Sequence, residues 1–184
     1  DLGALKIGEK GAGDLAKMEA LSDVATLLLP DNNIAYPGMK ALAGSKYLAN
    51  LTHLDVWGNM IGDMGIKAIV DSPYMTNLEN LKLWKNEVGD EGIERMVKSP
   101  KFSNLKFLFL NDNLITPLGA KMIAESKSFP KLEILNLFSN EIHDEGAKAL
   151  AESKNFQELV DLNVGQNVIS DEGALALIKS PNFP

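Results

Sequence analysis

Apolar and polar residues change rhythm along this chain, and the change recurs. In "LKFLFLNDN", Leu105 to Asn113, the apolar Leu108 and Leu110 alternate with Phe107 and Phe109. Period-two alternation predicts a strand, and it sends the two phenylalanines to the face opposite the leucines. Downstream, apolar residues recur at helical spacing, as in Ala147, Leu150 and Ala151, which predicts an amphipathic helix.

The pattern repeats every 27 residues. Asn32, Asn59, Asn86, Asn113, Asn140 and Asn167 keep this spacing, as do Gly11, Gly38, Gly65, Gly92, Gly119, Gly146 and Gly173. A register with no insertion over the whole chain is a specific signal. Each unit has the same parts. Leu51, Leu54 and Val56, or Leu78, Leu81 and Leu83, supply the core side of a strand. The Asn follows at the turn, where its amide can both donate to and accept from neighbouring backbone. Ile34, Ile61, Val88, Ile115, Ile142 and Ile169 close the core beyond that turn. Asp63, Asp90, Asp144 and Asp171 are expected as helix N-caps, with Thr116-Pro117 and Pro37 as substitute start signals. The recurring Gly, just inside the helix, is expected where stacked coils approach closely. Lys67/Asp71, Glu94/Lys98, Lys121/Glu125 and Lys148/Glu152 are expected as i,i+4 pairs on the outer helix face. Phe102, Phe129, Phe156 and Phe183 recur after the helix as core plugs.

The unit "LEILNLFSNEIHDEGAKALAESKNFQE", Leu132 to Glu158, fits L-x-x-L-x-L-x-x-N-x-I followed by a helix. It resembles a leucine-rich repeat of the ribonuclease-inhibitor-like, helix-containing subclass. "IGDMGIKAI", "VGDEGIERM" and "IHDEGAKAL" are also similar to arrays in bacterial leucine-rich proteins. The resemblance covers nearly the whole chain. It implies an α/β fold, a leucine-rich repeat solenoid bent into a horseshoe arc, with a parallel β-sheet on the concave face and α-helices on the convex face. Residues 1–184 are expected as one leucine-rich repeat domain. A degenerate repeat spans 1–23, with Leu5 in place of the Asn; six units start at 24, 51, 78, 105, 132 and 159, the last one truncated.

In that architecture the third, fifth and seventh residues of each unit face the concave side. The third positions are Thr26, His53, Asn80, Phe107, Ile134 and Asp161; the fifth are Leu28, Asp55, Lys82, Phe109, Asn136 and Asn163; the seventh are Pro30, Trp57, Trp84, Asn111, Phe138 and Gly165. Both tryptophans are among them, with the three phenylalanines that are not core plugs. Strands lie about 4.8 Å apart, which makes Trp57 and Trp84 neighbours. An aromatic centre with a polar rim suits protein binding. The expected site is therefore Trp57, Trp84, Phe107, Phe109, Ile134 and Phe138, rimmed by His53, Asp55, Lys82, Asn111 and Asn136, with a protein or peptide as the partner. Three other readings of the same residues stay open. One is a glycan-binding module that uses the two indoles. Another is an inhibitor that occludes an enzyme, as the family's horseshoes can. The third is a purely structural set of cross-strand pairs.

Composition narrows the alternatives. The chain has no Cys, which removes disulfides, zinc–thiolate sites and Cys nucleophiles. Its net charge is −7 and Arg95 is its only arginine, which argues against nucleic acid and anionic membranes as partners. No apolar run is long enough to insert in a bilayer. Asp90-Glu91, Asp144-Glu145 and Asp171-Glu172 form an acidic row, but helix starts account for them without a metal. His53 and Asp55 share a strand face, yet the concave positions offer no nucleophile, so no enzyme activity and no cofactor are expected. The open core side of "SPNFP" leads to the expectation of further capping repeats or an end-to-end oligomer. Nothing in the residues assigns a cellular location.

Overall fold

A computed structural model describes residues 1–183. Six strands, β1 (Thr26–Leu28), β2 (His53–Asp55), β3 (Asn80–Lys82), β4 (Phe107–Phe109), β5 (Ile134–Asn136) and β6 (Asp161–Asn163), form one parallel sheet in chain order. Between and around them run α1 (Gly8–Leu15), α2 (Ala35–Ala43), α3 (Gly62–Asp71), α4 (Asp90–Val97), α5 (Pro117–Glu125), α6 (His143–Glu152) and α7 (Asp171–Ile178). Each strand pairs with the next at an offset of one repeat, for instance Leu54 with Leu81 and Leu81 with Leu108. The expected α/β solenoid is what forms, with the sheet on the concave side and the helices on the convex side.

The core lies between the two layers. Leu51, Leu54, Val56, Ile61, Ile66 and Ile69 of one coil are all at most 1% exposed, and the next coils repeat the set. Phe102 and Phe129 plug the stack from below the helices, with ring centroids 6.2 Å apart. Residues 1–7 form no strand, yet they complete the first coil: Leu2 N–H donates to Leu28 O at 2.9 Å and Ala4 N–H to Pro30 O at 2.8 Å.

Three polar ladders hold the coils in register. The first is the Asn ladder. Asn86 Oδ1 accepts from Asn59 N–H (3.1 Å) and Ile61 N–H (3.3 Å), while its Nδ2 donates to Val56 O (2.9 Å) and Trp84 O (3.1 Å). One buried amide thus satisfies backbone groups on two coils.

The second ladder corrects an expectation. The aspartates do not cap their own helices; they sit in the first turn, and Asp63, Asp90 and Asp144 bond forward to the next coil. Asp63 Oδ1 accepts from Gly89 N–H (2.7 Å), Asp90 from Thr116 N–H (3.0 Å) and Oγ1 (2.5 Å), and Asp144 from Ser170 N–H (2.8 Å) and Oγ (2.6 Å). The hydroxyls at Thr116 and Ser170 do the capping within their own helices. This explains Gly92, Gly119 and Gly173: a Cβ on Gly92 would lie 2.6 Å from Asp63 Oδ1, and one on Gly119 or Gly173 closer still to Oδ1 of Asp90 or Asp144, whereas at Gly38 and Gly146 a Cβ would meet Ala12 and Ala120 of the preceding helix.

The third ladder is serine. Ser45, Ser72, Ser126, Ser153 and Ser180, at the ends of their own helices, each donate to a carbonyl at the end of the previous coil's helix, as Ser72 Oγ does to Ala43 O at 2.5 Å. On the helix surfaces, Lys67–Asp71, Glu94–Lys98 and Lys121–Glu125 pair as expected. Lys148 does not reach Glu152; it bridges to Glu172 of the next coil at 2.7 Å, because that carboxylate lies alongside at the neighbouring helix start.

Candidate functional site

The parallel register brings the concave positions together row by row. His53, Asn80, Phe107 and Ile134 are consecutive cross-strand partners, and so are Asp55, Lys82, Phe109 and Asn136. All of these except Asp55 are half-buried, and Trp84 is 39% exposed. Trp57 and Trp84 stack on each other, with centroids 5.0 Å apart and planes 25° from parallel. The stack fixes the indoles: Trp84 Nε1 donates to Asp112 Oδ2 at 3.3 Å, and Asp112 Oδ1 accepts from Ser139 Oγ at 3.4 Å.

Below the stack the rim residues are tied to one another. Asp55 is only 8% exposed; its carboxylate accepts from Trp57 N–H (3.3 Å) and meets Lys82 Nζ at 3.5 Å. Asp55 therefore orients its neighbours from beneath the surface, and Lys82 is the group that faces out. The Lys82 ammonium also lies 5.8 Å from the centre of the Phe109 ring. Asn136 Oδ1 accepts from Phe138 N–H at 3.0 Å. Phe138 turns toward the open space over Gly165, where a Cβ would stand 3.0 Å from its ring. His53 Nδ1 shares a hydrogen bond with Thr52 Oγ1 at 2.8 Å, so His53 and Asp55, although on one strand, are engaged with different partners.

Asp55, Trp57, Lys82, Trp84, Phe109, Asn111 and Asn136 enclose a cavity of about 310 Å³. Seven of the eleven expected site residues thus meet at one place. Phe107, Ile134 and His53 lie one row toward the strand starts, and Phe138 lies across Asn111.

A larger cavity, about 620 Å³, lies over the turns that follow β1 to β4 and is lined by Asp31, Asn33, Met60, Lys85, Glu87 and Leu114 among others. The sequence reading missed it. The turns hold left-handed residues in columns, such as Asp31 (φ 52°), Lys85 (φ 53°) and Asp112 (φ 57°). Those columns have no common residue type, so a search for recurring residues passes over them.

Along the helix starts, Glu172 is paired with Lys148, and Asp90 and Asp144 are spent on neighbouring coils. Among the described residues no group of three or more His, Asp or Glu gathers to hold a metal ion. No helix of the described residues is long and apolar enough to cross a membrane.

Comparison with known proteins agrees with the fold. The family model described as "Leucine Rich repeat" matches residues 47–70, 74–97, 130–151 and 158–177. A search of the curated proteins finds no match. Among solved structures, an internalin from Listeria monocytogenes is similar in fold, with a TM-score of 0.54 and 22% identity; the match covers 92% of this chain and 50% of that one. The chain thus spans about half the length of that relative.

Proposed function

This chain belongs to the leucine-rich repeat family, and from that premise we propose that it is a non-enzymatic scaffold binding a protein or peptide on its concave aromatic face. The observation that carries this reading is the Trp57–Trp84 stack beside Phe109, Lys82 and a cavity of about 310 Å³. These large side chains project from the sheet on the side away from the core. Buried aromatics surrounded by polar groups are the usual anchors of protein interfaces.

The glycan reading is disfavoured by the same stack. Each indole covers one face of the other, so the two do not form a side-by-side platform for sugar rings. The inhibitor reading would suit an acidic concave centre meeting a basic enzyme. Here Asp55, the carboxylate that lines the cavity, is buried.

The test is a triple variant, Trp84→Ser, Phe107→Ser and Phe109→Ser. Its melting temperature and its retention of proteins from a lysate are compared with those of the wild type. Preserved melting with loss of a specific retained protein supports the reading. A large drop in melting temperature moves these residues into a structural role. Unchanged retention with preserved melting moves the binding surface elsewhere on the solenoid.

A further inference from the structure

The pocket between Trp84 and Phe109 has a chemistry of its own. Its walls are aromatic, but its free polar atoms are nearly all donors. The backbone N–H of Phe138 fixes the Asn136 carboxamide, because only its oxygen can accept that bond. Asn136 Nδ2 is therefore left for a ligand. Asn111 lies beside it, and its side chain has no hydrogen-bond partner among the described residues. Lys82 Nζ completes the set. Its side chain is 44% exposed, and its contact with Asp55 is long, at 3.5 Å. That carboxylate lies behind the ammonium and is itself 11% exposed at the side chain, so it offers little to an incoming group. Besides the Asp55 carboxylate, Asn111 Oδ1 is the one side-chain acceptor left among these groups. The volume, about 310 Å³, is at the lower end of ligand-pocket sizes and suits one inserted side chain.

Resting on the reading of the concave face as a protein-binding surface, we infer that the pocket seats an acidic side chain of the partner. Its carboxylate takes donors from Lys82, Asn111 and Asn136, and its methylene stem packs between Trp84 and Phe109. A cationic side chain is disfavoured, since it would face the ammonium and two amide N–H₂ groups, offset only by Asn111 Oδ1 and the Asp55 carboxylate, which is 11% exposed and already paired with Lys82. A neutral amide gains fewer bonds, because charge-assisted hydrogen bonds are about twice as strong as neutral ones.

The probes are three capped tripeptides, acetyl-Leu-Glu-Leu-amide and its Gln and Lys counterparts. They are titrated into 15N-labelled protein while the Trp84 indole and the Asn111 and Asn136 side-chain amides are followed. The expected result is that the Glu peptide shifts all three signals and binds about tenfold more tightly than the Gln peptide. The Lys peptide shifts none of them, and the preference for Glu disappears in Lys82→Gln. A second variant, Asn136→Ala, weakens the Glu peptide if Lys82→Gln proves poorly folded. Equal shifts from all three peptides would overturn the acidic anchor and leave the concave face as a binding surface. No shift with any peptide would also overturn it, and the triple serine variant then decides separately whether the face binds protein at all.

Discussion

Asn86→Ala tests the claim that the Asn ladder, and not the strands alone, holds adjacent coils together. Asn86 is 0% exposed. Its loss leaves Asn59 N–H and Ile61 N–H with no acceptor inside the stack. Val56 O and Trp84 O fare better, because Val56 O keeps Asn59 Nδ2 at 2.8 Å and Trp84 O keeps Gly58 N–H at 2.9 Å. Two orphaned buried donors cost about 1–3 kcal/mol each, so the expected loss is about 4 kcal/mol. Set against a typical stability of about 5–15 kcal/mol, that is a large fraction.

Asn32→Ala provides the control. Asn32 Oδ1 also accepts from two N–H groups, those of Leu5 and Ile7, but these belong to the end coil, and Leu5 is 61% exposed. Water can replace the lost carbonyl there, so the expected cost is about 1 kcal/mol. Urea unfolding separates the two variants: with a slope of about 2 kcal/mol/M, Asn86→Ala lowers the midpoint by about 2 M and Asn32→Ala by about 0.5 M. Amide exchange at Asn59 and Ile61 should accelerate in the first variant alone. Equal midpoint shifts, or an Asn86→Ala cost below about 1 kcal/mol, would refute the reasoning.

Three further outcomes follow from the other ladders. Gly92→Ala should destabilise by about 1–3 kcal/mol in urea unfolding, because the new methyl group displaces the Asp63 carboxylate from Gly89; adding Asp63→Ala should recover part of the loss. Ser72→Ala should cost about 2 kcal/mol, since its Oγ bonds Ala43 O, Tyr74 N–H and Met75 N–H; Ser126→Ala should cost less, because Ser128 Oγ still reaches Val97 O at 2.6 Å. Asp144 is held below the ordinary carboxylate pKa by the Ser170 hydroxyl, with the Ser170 and Gly173 N–H groups adding to it. A depressed folded pKa stabilises above the unfolded value of about 3.9 and loses that contribution as pH falls through the folded value. The melting-temperature gap between wild type and Asp144→Asn should therefore be full at neutral pH and close below about pH 4.

Much of this was legible in the sequence because a solenoid writes its contacts at a fixed period. A residue that bonds the next coil must recur every 27 positions, and Asn59, Asn86 and Asn113 do. Strand alternation alone puts Trp57, Trp84, Phe107 and Phe109 on the face opposite the core leucines, where the proposed site lies. The direction of the aspartate bonds was not legible. Asp90 two residues before Gly92 looks like a cap for its own helix, and only the stacking distance shows that its carboxylate reaches Thr116 instead. The serines at 45, 72, 99, 126, 153 and 180 carried the same periodic signal as the asparagines and were overlooked. Burial of Asp55 was not legible either, because it depends on how Lys82 and Trp57 fold over it.

The separation between what holds the coils and what decorates the strands argues for function on the concave side. Core leucines, Asn, Asp and Ser all act between the sheet and the helices or at the turns; the Asn and Ser columns repeat their residue from coil to coil, and the Asp column does so except at Tyr36 and Pro117. The concave columns do not: the seventh reads Pro30, Trp57, Trp84, Asn111, Phe138 and Gly165. Cross-strand pairs on that face contribute only about 0.2–1 kcal/mol each, and an aromatic stack about 0.5–1.5 kcal/mol. A fold that closes its polar ladders elsewhere loses little if those residues change, and that leaves them free to be set by a partner. Irregularity in an otherwise strict array thus supports the proposed binding surface, and it is concentrated on β2 to β5, where the aromatic side chains lie.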